Sequence, residues 1–205
     1  MKMKMKKKEE PALALQLKPI KTRFMKVKIE SIPESSYISH RLDASVVDSF
    51  TKRETGEVEK SVLRNFDKEY EQCFYLTSKK EYGIPVGAFV SSVLDTCIAL
   101  GIYKTQVKRA MRIVGDVVPI KYKKLNRRID NPKRSGRNKT PDVRHRPEFI
   151  DWNVELLIQY DEEQITPEQI VNLINSAGFT SGIGDWRPSA PKSTGTHGMF
   201  RVKTK

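Results

Sequence analysis

Residues 150–178 read IDWNVELLIQYDEEQITPEQIVNLINSAG, and this stretch decides the fold. Ile150, Trp152, Val154, Leu156, Ile158 and Tyr160 alternate with Asp151, Asn153, Glu155, Leu157, Gln159 and Asp161. That period of two predicts a strand over 150–160 with one buried face. A capping box follows, with Thr166 as cap, Pro167 in the first helical position and Gln169 three residues on. The helix it opens places Ile170, Val171, Leu173, Ile174 and Ala177 on one side, and Gly178 is positioned to close it.

Working outward, Met25, Val27 and Ile29 alternate with Lys26, Lys28 and Glu30, which predicts a first strand at 23–30. Pro85 in the first helical position, apolar residues from Phe89 to Ile98 at helical spacing, and Gly101 as a stop predict a helix over 85–100. Residues 107–114 and 117–122 read as strand material broken at Gly115-Asp116, and 199–202 as a short last strand. The order is β-α-β-β-α-β, the split pattern of an α+β, ferredoxin-like fold. Two helices would cover one sheet face and leave the other open to a ligand.

Two long segments interrupt that pattern. Residues 31–84 are polar and weakly periodic, and read as an inserted subdomain after the first strand. Within them Asp43 is placed to cap a short helix through Val46, Val47 and Phe50, 53–62 reads as an exposed loop, and 66–76 as a short helix or strand. Residues 121–148 read as a basic, thumb-like hairpin loop between the middle strands, in a single domain running over 23–205. The first 22 residues read as a disordered basic tail.

Charge is concentrated rather than spread. The segment 121–148 carries Lys121, Lys123, Lys124, Arg127, Arg128, Lys133, Arg134, Arg137, Lys139, Arg144 and Arg146 against three acids, a net +8 of the chain's +13. A field of that density attracts a polyanion by counterion release, without reading sequence. Folded back as a hairpin, the segment would reach roughly 45 Å at about 3.3 Å per residue. It holds no aromatic residue between Tyr122 and Phe149, so any base stacking must come from the sheet or from a second loop.

That second loop is glycine-rich. It runs Ser181-Gly182-Ile183-Gly184-Asp185-Trp186-Arg187-Pro188, then Lys192, Gly195 and His197-Gly198. Gly182 and Gly184 permit close backbone approach, and Trp186 and Arg187 offer a ring beside a guanidinium. The glycines follow a helix and precede a strand, which excludes a dinucleotide-binding turn. No Gly-Lys-Ser or Gly-Lys-Thr is present, which excludes a triphosphate-binding loop of that type.

A ferredoxin-like half ending in such a loop resembles the RAMP superfamily, the RNA-binding and RNA-processing proteins of CRISPR systems. The resemblance spans the architecture of about 23–203, with motif character in 182–198. It implies that the glycine-rich loop contacts RNA backbone, that 31–84 and 121–148 are the insertion and thumb of the backbone-type members, and that subunits self-associate along a strand. The closing Gly-x-Gly of that motif is reduced here to Gly198. Phe66–Pro85, Pro147–Tyr160 and Gly178–Phe200 also resemble uncharacterised phage proteins, which implies a viral source but supplies no activity.

The three histidines, His40, His145 and His197, have no metal-ligand spacing, and no metal or cofactor is expected. His145, inside the Arg144–Arg146 cluster, reads as a phosphate contact. Cys73 and Cys97 read as buried free thiols of a reducing, cytoplasmic compartment. No apolar run is long enough to span a membrane.

The resulting expectation is a non-catalytic protein that binds single-stranded nucleic acid, RNA ahead of DNA, and forms homo-oligomers or assembles with related subunits. The competing reading is a metal-independent RNA endonuclease using His197, with Lys192 or Arg187 stabilising the phosphorane charge. A third is a viral inhibitor of a protein partner, or a strand-annealing factor.

Overall fold

A computed structural model describes residues 19–41, 52, 55, 64–131, 142–191 and 195–203. It combines helices with antiparallel strands. The first strand, β1 (Thr22–Ser31), is followed by β2 (Tyr37–Ile38), α1 (Phe66–Gln72), β3 (Tyr75–Leu76), β4 (Tyr82–Pro85) and α2 (Val86–Ala99). Then come α3 (Lys104–Ala110), β5 (Met111–Val114), β6 (Val117–Pro119), β7 (Lys124–Asp130) and β8 (Arg144–Ile150). The chain ends with β9 (Asn153–Asp161), α4 (Pro167–Thr180) and β10 (Phe200–Val202).

The main sheet has the order β10-β1-β9-β5, and each neighbouring pair is antiparallel. Its core lies on one face. Val27, Ile29, Val154, Leu156, Ile158 and Phe200 meet Phe89, Val93 and Cys97 of α2 and Ile170, Ile174 and Ala177 of α4. Burying a side chain of this size stabilises by about 1.5–3 kcal/mol, and Tyr37, Phe149 and Trp152 extend the same core beyond this layer. The two helices are joined through Ser92, whose Oγ donates to the Ala177 carbonyl at 3.0 Å.

Helix α4 begins as its sequence predicts. Thr166 Oγ1 accepts from Gln169 N at 3.2 Å, and the Gln169 side chain accepts from Thr166 N at 2.9 Å. Helix α2 ends on Gly101 at φ +68, where Gly101 N donates to Ile98 O and Ile102 N to Cys97 O. That double hydrogen bond is a Schellman cap, and glycine takes its left-handed position without strain. Pro85 is the residue before α2 and the last of β4, not the first helical residue.

Four further boundaries differ from the sequence reading. Residues 104–110 are helical, so only Met111–Val114 of the expected 107–114 strand is strand; Val107 and Ala110 are buried three residues apart on one helical face. Residues 150–160 are not one strand: Ile150 closes β8, Asp151 turns the chain at φ +51, and β9 starts at Asn153. Gly178 does not end α4, which runs on to Thr180; a Cβ at 178 would sit 1.9 Å from the Phe200 carbonyl oxygen, so this glycine lets β10 pack against the helix. Residues 66–76 contain both a helix, α1, and a strand, β3.

The strands of the two long segments pair with each other. β2, from the segment after β1, adds to the β7–β8 hairpin to give the order β2-β8-β7. β4, from the same segment, pairs with β6, which follows β5. The expected helix through Val46, Val47 and Phe50 and the loop 53–62 lie outside the described residues, apart from Thr55 in a turn. Cys73 and Cys97 are buried and free, as the sequence suggests, and burial pushes the Cys73 thiol up to about 11. Among the described residues no helix is long and apolar enough to cross a membrane.

Candidate functional site

The described arms of the basic segment, Lys124–Asp130 and Arg144–Ile150, are paired strands rather than open loop. β7 and β8 pair from Lys124↔Ile150 to Asp130↔Arg144, and residues 132–141 between them lie outside the described residues. Several of its cations have carboxylate partners within the chain. Arg127 reaches Asp67 at 2.6 Å and lies 4.9 Å from the Tyr70 ring centroid. Arg128 reaches Asp130 at 2.9 Å and Glu148 at 3.2 Å. Arg144 reaches Asp142 at 2.9 Å, and Lys123 sits 3.7 Å from Asp151. Arg146 is buried between Asp130 and Asp185. Lys121 and Lys124 are exposed and have no carboxylate partner among the described residues. Lys133, Arg134, Arg137 and Lys139 lie outside the described residues, as does Lys192 of the glycine-rich loop.

The described glycines of that loop approach the chain's own backbone. A Cβ on Gly184 would meet the Ile38 carbonyl oxygen at 2.6 Å, and one on Gly198 would meet the Ile183 carbonyl oxygen at 1.7 Å. Gly182, at φ +64, turns the chain out of α4. Trp186 is half-buried at φ +58, and Arg187 donates to the Gly184 carbonyl at 3.0 Å and to Ser189 Oγ at 3.1 Å. The loop is therefore folded onto β2, with Asp185 N donating to Ile38 O.

His197 joins the loop to the hairpin. Its Nδ1 is 2.9 Å from Ser36 Oγ, and its Nε2 is 3.4 Å from Arg128 Nη1. Ser36 Oγ has one proton and gives it to Glu148 Oε1 at 2.7 Å, so it accepts from His197 Nδ1–H. The arginine can only donate, so Nε2 is the acceptor and the ring is neutral. Burial and the adjacent Arg128 push the His197 pKa down, in agreement with a neutral ring. Both ring nitrogens are thus engaged inside the protein.

The other two histidines are also held. His145 stacks on Phe66 with centroids 4.8 Å apart and accepts from Arg127 Nε at 2.8 Å. His40 Nδ1 is 3.0 Å from Asp185 Oδ2. Burial alone would raise the Asp185 carboxyl, but His40 and Arg146 outweigh it and hold the group below its ordinary value.

The most open chemistry lies on the sheet face away from α2 and α4. Its residues fall into rows fixed by the strand registers. Phe24, Gln159 and Arg112 form one row, Lys26, Leu157 and Val114 the next, and Lys28 with Glu155 a third. Glu30 and Arg201 stand opposite each other beyond it. Phe24 is 60% exposed, the largest aromatic surface on this sheet. Lys26 pairs with Glu155 at 3.2 Å, while Arg201 and Lys203 pair with Glu30 at 2.9 and 3.5 Å. Lys28 and Arg112 have no carboxylate partner among the described residues. Sequence reasoning left Phe24 and Arg112 out of the site. The signal for Phe24 is its parity, since it shares the face of Lys26 and Lys28.

No family model matches this chain, and no curated protein matches it. Among solved structures, it is similar to a chain in a cryo-EM structure of Type III-B Cmr-beta bound to cognate target RNA. The two are 12% identical with a TM-score of 0.47. The match covers 90% of this chain and 60% of the other, so the present chain spans less than two thirds of its length.

Proposed function

We propose that this protein binds single-stranded nucleic acid along the open face of its main sheet, RNA ahead of DNA. The observation that carries the reading is Phe24, an exposed ring on a sheet face that also holds Lys26, Lys28, Arg112, Arg201 and Lys203. A flat, exposed aromatic among cations suits a splayed base and its phosphates, whereas a duplex hides its base faces. We read the β10-β1-β9-β5 order as a ferredoxin-like unit, fourth strand beside first, first beside third, third beside second. The preference for RNA rests on the RAMP resemblance of residues 182–198.

The basic hairpin serves this reading through its connection, not its arms. The arginines of β7 and β8 are largely neutralised by Asp67, Asp130, Asp142, Glu148 and Asp185. Residues 132–141 add Lys133, Arg134, Arg137 and Lys139 with no acid among them. They supply the sequence-independent grip on phosphate, and the sheet face supplies the contact with bases.

Fluorescence anisotropy with a labelled single strand and the matching duplex tests the proposal. Phe24→Ala should weaken single-strand binding by about 5- to 100-fold, the range of one lost base–aromatic stack. Equal affinity of the variant and the parent, or no binding at low salt, would refute it.

A further inference from the structure

Within the open face, the row Phe24–Gln159–Arg112 differs from its neighbours. Lys26 is held by Glu155, Arg201 and Lys203 by Glu30, and Lys28 stands opposite the acidic Glu155 across β1 and β9. In the Phe24 row nothing is cancelled. Gln159 is half-buried, yet its amide has no hydrogen-bond partner among the described residues, and neither does the exposed guanidinium of Arg112. Both groups are therefore free to meet a ligand beside the exposed ring.

The register sets these three groups side by side. Phe24 pairs with Gln159 across β1 and β9, and Arg112 pairs with Gln159 across β5 and β9. At about 4.8 Å between strands, the ring and the guanidinium stem are about 10 Å apart with the amide midway. A base lying on the Phe24 ring would direct its edge along the row toward a donor–acceptor amide and then a donor fork. Glutamine matches the N6 and N7 edge of adenine, and arginine matches the O6 and N7 edge of guanine. Uracil and cytosine lack N7, and their single ring reaches less far from the stack.

Resting on the single-strand reading above, we infer that this row selects a purine at the base stacked on Phe24. The test uses labelled RNA of about 12 nucleotides, within the usual span of a single-strand site. One oligomer is all adenine, one alternates adenine and guanine, and one is all uracil. The parent protein should bind the two purine strands at least about fivefold more tightly than the uracil strand, the discrimination of one bidentate contact. Gln159→Leu and Arg112→Lys should each reduce the ratio of purine to uracil affinity, the second by removing the fork while it keeps the charge. Thermal melts of both variants check that they fold.

Equal binding of all three strands by the parent would overturn the inference while leaving the single-strand reading in place. A purine preference that survives both substitutions would also overturn it, because the selecting groups would then lie elsewhere. Failure of Phe24→Ala to weaken any strand would remove the reading beneath it, and the inference with it.

Discussion

Asp130 and Arg146 form the buried centre of the hairpin, with Oδ2 and Nη2 3.1 Å apart and side chains 9% and 4% exposed. The register explains why the carboxylate is there. Arg128 and Arg146 stand directly opposite each other on β7 and β8, an arrangement that like charges destabilise. Asp130 reconciles them, presenting Oδ1 to Arg128 and Oδ2 to Arg146. Asp130→Ala should therefore cost about 3–5 kcal/mol, the usual consequence of leaving a buried charge without its partner. Urea denaturation measures it. Lys26→Ala, which breaks only the exposed pair with Glu155, should cost about 1 kcal/mol or less. A loss at Asp130 no larger than at Lys26 would show that Asp185 suffices to hold Arg146.

Stability should fall on the acid side in two stages. The pKa of His197 is lowered by burial and by Arg128, despite the opposing Glu148 and Asp130, so the folded state favours the neutral ring. Its contribution is complete above the ordinary value of 6.5 and is lost as pH falls through the lower folded value. Burial would raise Glu148, but Ser36 and Arg128 hold it below 4.5, so its contribution is present above 4.5 and fades below that. Midpoints of urea unfolding from pH 8 to about pH 2.5 should show the first decline beginning near 6.5 and the second below 4.5. His197→Gln should remove that first stage and leave the second.

How much of this was readable from sequence follows the range of the interactions. β1, α2 and α4 are set by local alternation, capping and the Gly101 stop, all within a few residues, and each is found within a residue or two of its expected place. The helix α3 was hidden because Val107, Ala110, Met111 and Ile113 run across a helix-to-strand boundary and satisfy both periods over so short a span. The arms of the hairpin gave no apolar alternation, because pairs such as Arg128–Glu148 and Arg146–Asp130 occupy positions where period-two patterns expect apolar residues. The glycine-rich loop was legible as a close approach, but not what it approaches. The contact of Gly184 with Ile38 and of Gly198 with Ile183 is visible only after folding. On the open face the parity of Phe24 was local information, whereas its alignment with Arg112 needed the register of three strands.

Two helical glycines should respond oppositely to alanine. At Gly87 an added Cβ meets nothing within 4 Å, so Gly87→Ala should stabilise by up to about 1 kcal/mol through helix propensity and reduced unfolded-state entropy. At Gly178 the same methyl would collide with the Phe200 carbonyl and ring, at 1.9 and 2.7 Å. Gly178→Ala should displace β10 from α4 and destabilise by about 1–3 kcal/mol, the range for overpacking a filled core. Differential scanning calorimetry of the pair should move Tm in opposite directions.

The hairpin connection and the hairpin arms should separate in the salt dependence of binding. Lys133, Arg134, Arg137 and Lys139 stand in a stretch of sequence without a single acid, whereas Arg144 has Asp142 at 2.9 Å and Arg128 has Asp130 at 2.9 Å. A cation already paired releases few counterions when it meets phosphate, because its charge is largely spent. Replacing the four connection residues by alanine should weaken single-strand binding at 50 mM salt and flatten the plot of log K against log salt by about three units, at roughly 0.7 per contact. Replacing Arg144 alone should change the slope by well under one contact. If the fourfold variant keeps the parent slope while Arg144→Ala flattens it, the phosphate grip belongs to the arms, and the intramolecular pairs would have to open when nucleic acid binds.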